Sequence, residues 1–267
     1  MKITPLFNGN ILPNHYCECD YLTKILDTLK LSLSDNYNVI VKTNDYYENL
    51  TPPPIFKNIL IHVGNEVPYD NKDYDKFDLV FRFYHSNKCD NKKVFNINIG
   101  YNSSGYNQIN FKSNKPLNDR KYNISFNGQI GNRFDLKMAT DKLTIRNTNI
   151  NFTNGFRQGL GFNDYLDILG ETKICLVPRG VSNETFRFNE ALASGCIVIT
   201  TEMDHPFYKD APIVKIPNWY YLTDDLIKKT LSEDLIEYKN KNLKYYDEKL
   251  SPKATSDYIL DVINNEK

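Results

Sequence analysis

The sequence predicts an α/β protein of two domains, each built around a parallel sheet. Three observations carry this reading. The length of 267 residues exceeds one ordinary domain and suits two units of about 100 residues or slightly more. Short, continuous apolar runs bounded by turn residues recur in both halves, as expected of strands covered on both faces. Between residues 173 and 200 a strand, a loop, a helix and a second strand follow in turn, which implies a right-handed parallel crossover.

Residues 21–31 read as a helix, with Ile25, Leu26 and Leu29 on one face and Asp20 as N-cap. Residues 39–41 form a short strand, and Thr51-Pro52-Pro53-Pro54 interrupts the chain. Residues 59–63 are a buried strand containing His62, followed by the turn Gly64-Asn65-Glu66. Two further strands fall at 78–83 and 94–99, the second ending at Gly100. The polar stretch 107–121, with Pro116, is expected to link the domains, giving units 1–115 and 116–267.

In the second half, a strand at 122–126 leads through Asn127-Gly128 to a helix at 133–143. A helix at 162–170 precedes a buried strand at 173–177, which Pro178-Arg179-Gly180 ends. A helix at 185–194 follows, with Asn183 as N-cap and Gly195 just past its end, then a strand at 196–200. The tail, 224–264, is charged helix broken near Ser251-Pro252, and can pack back on the N-terminal domain.

Composition narrows the function. Lys plus Arg and Asp plus Glu are 33 each, so the formal net charge is zero and no basic stripe marks a nucleic-acid partner. The odd cysteine count, five, has no zinc-finger spacing, and Cys17 and Cys19 are too close for an ordinary disulfide. Cys175 and Cys196 lie in apolar runs and read as buried thiols, which fits a reducing compartment. Residues 1–16 hold no signal-length apolar run, and no stretch approaches the roughly 18–20 apolar residues of a membrane span. A soluble cytoplasmic protein is expected. Asn-x-Ser/Thr triplets at Asn102, Asn123 and Asn183 are expected by chance in so Asn-rich a chain.

The chemistry concentrates in residues 173–207, KICLVPRGVSNETFRFNEALASGCIVITTEMDHPF. A strand ends in a polar loop and a helix begins there, with its free N–H groups and a charge of roughly +0.5 directed at the loop. Arg179 lies in that loop and Arg187 in the first helical turn, where it opposes the helix dipole unless an anion is bound. Glu190, three residues on, shares the face of Arg187 and suits the vicinal hydroxyls of a ribose; the plainer alternative is a surface Arg187–Glu190 pair.

These residues resemble the exostosin-like glycosyltransferase family. The likeness rests on Cys175-Leu176-Val177-Pro178-Arg179-Gly180, Thr185-Phe186-Arg187, Glu190-Ala191-Leu192, Gly195-Cys196-Ile197-Val198-Ile199 and Pro206-Phe207. Upstream, Ile124-Ser125-Phe126-Asn127-Gly128 followed by Arg133 extends it, so that it covers about 120–210. Val198 stands where the family has Pro, and the chain is shorter than typical members; the N-terminal half matches loosely, at Asn65-Glu66, Phe81-Arg82-Phe83-Tyr84 and Ile99-Gly100-Tyr101, and there resembles viral and bacterial relatives, as in a short viral or microbial member.

The resemblance implies the GT-B architecture: two Rossmann-like domains facing across a cleft, with the acceptor on the first and the nucleotide sugar on the second. It implies an inverting transfer from a UDP-sugar of xylose, galactose or glucuronate type to a hydroxyl of a glycan acceptor. Arg133, Arg179, Thr185, Arg187, Glu190 and His205 are then the expected donor-binding residues, with no metal and no cofactor beyond the co-substrate. Without an anchor, such an enzyme is expected in a cytosol, microbial or that of an infected host.

The base must come from elsewhere. Glu66, the first acidic residue beyond the strand at 59–63, is the leading candidate, with Asp73 and His62 in reserve. Each has a plainer reading: an exposed turn glutamate, part of the solvated acidic run at Asp70, Asp73, Asp75 and Asp78, and a core histidine. His205 reads equally as a solvated loop residue, and Tyr101 and Tyr106 as structural rather than sugar-stacking. The competing functions are a non-catalytic glycan- or nucleotide-binding module on a transferase scaffold, and a fucosyltransferase-like enzyme taking a GDP-sugar.

Overall fold

A computed structural model of the chain describes residues 2–5, 19–43, 52, 54–64, 66, 72–86, 92–103, 110–111, 113–155, 158–201, 205 and 207–266. Cys17, Cys89, Asp70, Tyr106 and Pro206 lie outside the described residues. Internal contacts divide the chain into two compact units: Met1–Ile109 with Lys249–Lys267, and Asn110–Glu248.

The first unit carries a five-stranded parallel sheet of β1 (Lys2–Pro5), β2 (Tyr37–Thr43), β3 (Lys57–Val63), β4 (Leu79–Arg82) and β5 (Val94–Asn96), paired in chain order. The apolar run of β3 fills the middle of this sheet, and Ile59, Leu60 and Ile61 are fully buried. Helix α1 (Cys19–Ser32) buries Tyr21, Leu22, Ile25 and Leu29 and packs against α7 (Pro252–Asn265). The C-terminal helix therefore belongs to the unit that begins the chain. Ser251 caps α7 by accepting the Ala254 N–H at 3.1 Å, and Pro252 occupies its first turn, where no N–H is needed.

Asp20 is not the cap of α1. It lies inside the helix, where its carboxylate accepts Lys24 Nζ at 2.7 Å and the Tyr101 hydroxyl at 2.5 Å, so that a long-range partner rather than a helix end satisfies it. The Tyr21 hydroxyl donates to the Leu250 carbonyl at 2.7 Å and accepts from Asn98 Nδ2 at 3.0 Å, tying α1 to the turn before α7. The Tyr21 ring lies on Gly100: φ there is +73°, and a Cβ would stand 2.2 Å from a ring carbon. Only glycine fits both demands.

The second unit holds β6 (Tyr122–Gln129), β7 (Thr148–Thr153), β8 (Thr172–Leu176), β9 (Ile197–Thr201) and β10 (Val214–Ile216), again all parallel, in the order β10-β9-β8-β6-β7. Its helices are α2 (Phe134–Thr140), α3 (Phe162–Gly170), α4 (Phe186–Ala193), α5 (Asp224–Leu231) and α6 (Leu235–Tyr245). Ile124, Phe126, Ile174, Leu176, Ile197 and Ile199 form the centre of its core.

Residues 113–121, polar enough to read as linker, are built into this unit. Leu117 is a core residue, and the buried Arg120 guanidinium donates to the carbonyls of Thr172 at 2.8 Å and Ser194 at 2.6 Å. Gly195 ends α4 with φ +70°. The N-cap of α4 is Thr185, not Asn183, because residues 182–184 form a turn of their own. In it the Ser182 hydroxyl donates to the Glu184 carbonyl and accepts the Glu184 N–H. Cys175 and Cys196 are free, buried thiols; burial pushes both up, Cys196 to about 11. Among the described residues no helix is long and apolar enough to cross a membrane.

Candidate functional site

Strand order decides where a ligand can sit. From β6 the chain first adds β7 on one side, then crosses to add β8 on the other. The order reverses between β6 and β8, and open α/β sheets bind ligands outside the strand carboxyl ends at such a point. The loops after β6 and β8 are fastened together there. Asn132 Nδ2 donates to the Gly180 carbonyl at 2.7 Å, and Arg133 Nε to the Arg179 carbonyl at 3.0 Å. Arg133 Nη1 also donates to the Gln129 carbonyl at 3.0 Å.

Arg187 reaches the same place from the first turn of α4. Its Nη2 donates to the Asn127 carbonyl, and its guanidinium stacks on the Phe126 ring, 4.7 Å from the centroid. Gly128 makes room for it, since a Cβ there would lie 2.9 Å from Nη2. The strand residues Phe126, Asn127 and Gly128 thus supply a face, an acceptor and a gap for one arginine.

Two like charges meet at this point. Burial, with the Arg187 charge adding to it, lowers Arg133 from its ordinary value to about 10. Because the folded-state value is the lower one, the folded chain disfavours the charge at every pH below about 10. That penalty lifts as pH rises through that value, or when an anion binds. Thr185, the N-cap, does not use its hydroxyl to cap α4; Oγ1 is buried and has no hydrogen-bond partner among the described residues. Two arginines, a helix N-terminus and a spare hydroxyl therefore converge, a set suited to a phosphate or diphosphate.

The other expected donor residues are placed differently. The Arg179 side chain is exposed, and its carbonyl is what Arg133 uses. Glu190 is not part of a surface pair: it is 3% exposed, and its Oε2 accepts the Tyr165 hydroxyl at 2.6 Å. Burial and the Glu190 charge hold the Tyr165 phenol well above its ordinary value. His205 is no solvated loop residue. Its ring is buried, with Nε2 2.6 Å from Glu184 Oε1 and Nδ1 accepting the Phe207 N–H at 3.1 Å. Tyr165 reads from the sequence only as an apolar position of α3, and Glu184 only as a loop residue; neither spacing reveals its partner.

In the first unit, Glu66 is exposed just beyond β3, and its Oε1 accepts the Tyr84 hydroxyl at 3.4 Å. Tyr84 has φ +58°, unusual for a side chain of that size. Arg82, fully buried, donates from Nε to the Tyr84 carbonyl at 2.9 Å and from Nη1 to the Tyr74 hydroxyl at 2.9 Å. That hydroxyl also bonds His62 Nδ1 at 2.6 Å, so His62 is a satisfied core residue, 1% exposed. Asp73 lies in the 3-10 turn Lys72–Lys76, and its side chain is outside the described residues. Asp78 accepts the Asn58 N–H at 2.7 Å, a structural use. Among the described residues no cluster of three His, Cys, Asp or Glu could hold a metal ion.

Comparison with known proteins matches this architecture. No family model matches the chain. In solved structures the chain is similar to a DNA-modifying beta-glucosyltransferase (TM-score 0.52, 13% identity, 100% of this chain and 99% of that one). It is also similar to a glycosyltransferase from Rickettsia africae (TM-score 0.52, 11% identity, 97% and 84%) and to WaaG, a glycosyltransferase of lipopolysaccharide biosynthesis (TM-score 0.50, 10% identity, 97% and 99%). The fold is that of the GT-B glycosyltransferases. In sequence the chain is similar to an exostosin homolog. It is 26% identical to the Exostosin-1 homolog of Caenorhabditis elegans over 296 aligned positions, which take in 94% of this chain and 77% of that protein.

Proposed function

We propose that the protein transfers a sugar from a UDP-sugar to a hydroxyl of a glycan acceptor, with inversion at the anomeric carbon. The observation that carries this reading is the meeting of Arg187, Arg133 and the N-terminus of α4 at the β6–β8 reversal. The exostosin-like run favours uridine as the nucleotide. In this reading Arg187 and Arg133 hold the diphosphate, the Thr185 hydroxyl bonds a phosphate oxygen, and Glu190 receives the ribose hydroxyls beside Tyr165.

Glu66 acts as base. Its carboxylate takes the proton from the acceptor hydroxyl, whose oxygen forms a bond to the anomeric carbon as the bond to the phosphate oxygen breaks. The electron pair leaves on UDP, and the fixed positive charge of the arginines and helix stabilises it. Arginines fill the place that a divalent ion would take beside the phosphates, so the transfer is proposed to be metal-independent.

The test is a thermal-shift series with nucleotide sugars, followed by detection of UDP release with glycan acceptors. UDP and UDP-sugars should raise the melting temperature, and release should depend on acceptor. A shift with GDP-sugars alone would assign the site to a fucosyltransferase-like donor. Binding without release under any acceptor would make the protein a binding module.

A further inference from the structure

The first turn of α4 is held from behind by a buried glutamate–histidine contact that the transfer itself does not use. Glu184 precedes the N-cap Thr185, and its carboxylate meets His205 Nε2 at 2.6 Å, with the two side chains only 2% and 1% exposed. The tautomer follows from the neighbours. The Phe207 N–H donates to Nδ1, so the proton of a neutral ring resides on Nε2, the nitrogen 2.6 Å from Glu184 Oε1. The other face of the imidazole stacks on Tyr208, centroids 4.5 Å apart, and Tyr208 packs on Phe188 of α4 at 4.2 Å. A closed circuit results: Glu184 before the cap, His205, Tyr208, and Phe188 one residue beyond Arg187.

We propose that Glu184 and His205 are positioning residues for the donor, presetting the α4 turn so that Thr185 and Arg187 meet a diphosphate without rearrangement. A carboxylate buried this deeply is costly without polar neighbours, and the histidine 2.6 Å away supplies one and makes the carboxylate an anchor for the turn. Binding to a preset site is tighter because less ordering is left for the moment of association. The inference rests on the reading that this turn binds the diphosphate.

The experiment measures UDP and free pyrophosphate affinity by titration calorimetry, and donor KM and kcat, for Glu184→Ala, His205→Phe, Glu184→Gln and His205→Gln, with Arg187→Ala as reference. Phe keeps an aromatic ring for Tyr208 and removes the polar nitrogen; the two Gln variants keep a polar side chain at each position. Glu184→Ala and His205→Phe should each weaken UDP and pyrophosphate about tenfold. Donor KM should rise by a similar factor while kcat at saturating donor changes less than about twofold. The Gln variants should recover most of the affinity. UDP affinity within about twofold of the parent in the first two variants, while Arg187→Ala is weakened, would overturn the positioning role alone. Unchanged affinity in Arg187→Ala would overturn the donor reading and this inference with it. If the Ala and Phe variants fail to fold, the Gln pair decides: a moderate, donor-specific rise in KM supports the role, and parent-like constants in both overturn it.

Discussion

The two parallel sheets are built alike and differ in one respect. In the first unit the strands add in chain order, β1 to β5; in the second the order reverses between β6 and β8. Arginines at strand ends follow that difference. Arg82, which ends β4, is wholly buried and spent on Tyr74 and on the backbone of Tyr84. Arg133 and Arg187 are only partly buried, and they repel each other at the reversal. The same residue type serves as internal brace in one sheet and, in the reading proposed above, as anion receptor in the other, because open α/β sheets bind ligands where the strand order reverses.

The largest expected effect separates the chemistry of the two units. Glu66→Gln should lose at least about a hundredfold in turnover, the lower end for removing a general base. UDP affinity should stay unchanged, since Glu66 lies in the first unit and the nucleotide is assigned to the second. Steady-state kinetics and calorimetry on one preparation check both halves. Near-normal turnover would pass the role to Asp73.

The next effects use one glycine from each sheet. At Gly128 a Cβ meets the far end of the Arg187 side chain at 2.9 Å, which can swing aside. Gly128→Ala should therefore keep its melting temperature and weaken UDP about tenfold, by losing the seat of one charged group. At Gly100 a Cβ meets the fixed Tyr21 ring with φ at +73°. Gly100→Ala should destabilise the first unit by about 2–3 kcal/mol in denaturant unfolding, the overpacking range joined to backbone strain. If the two variants exchanged these outcomes, the contrast between receptor and scaffold would fail.

The smallest expected effect is none. If arginines rather than carboxylates face the phosphates, as proposed, turnover should survive EDTA. Loss with chelator and recovery with manganese would show that a metal shares the task of the arginines.

Much of this contrast is legible in the sequence where the apolar pattern is strong. The apolar run of β3 and the periodic face of α3, Phe162–Gly170, declare themselves without tertiary information. β7, with the sequence TNINFT, does not: this edge strand has only two apolar residues, Ile150 and Phe152, too short an alternation to stand out, and it is held by pairing to β6 and by packing of those two on the core, Phe152 against Phe126 at 4.9 Å. The reversal of strand order depends on that unseen strand. In the site, Arg187 stands out because an arginine in the first turn of a helix is unfavourable alone. The roles of Tyr165, Glu184 and His205 do not stand out, because each partner is at least 21 positions away and no local pattern records the pairing. Residues 113–121 mislead for the same reason: Arg120 looks solvated until its carbonyl partners on other elements are seen.

The central claim is that the β6–β8 reversal of the second unit holds the donor diphosphate through Arg187. Titration calorimetry of UDP into the parent protein and Arg187→Ala, with matching circular dichroism spectra, tests it directly. The account predicts UDP binding weaker by about 1.5–3 kcal/mol in the variant, the range for a hydrogen-bonded charge. Equal affinity in the two proteins would contradict it and place the nucleotide elsewhere.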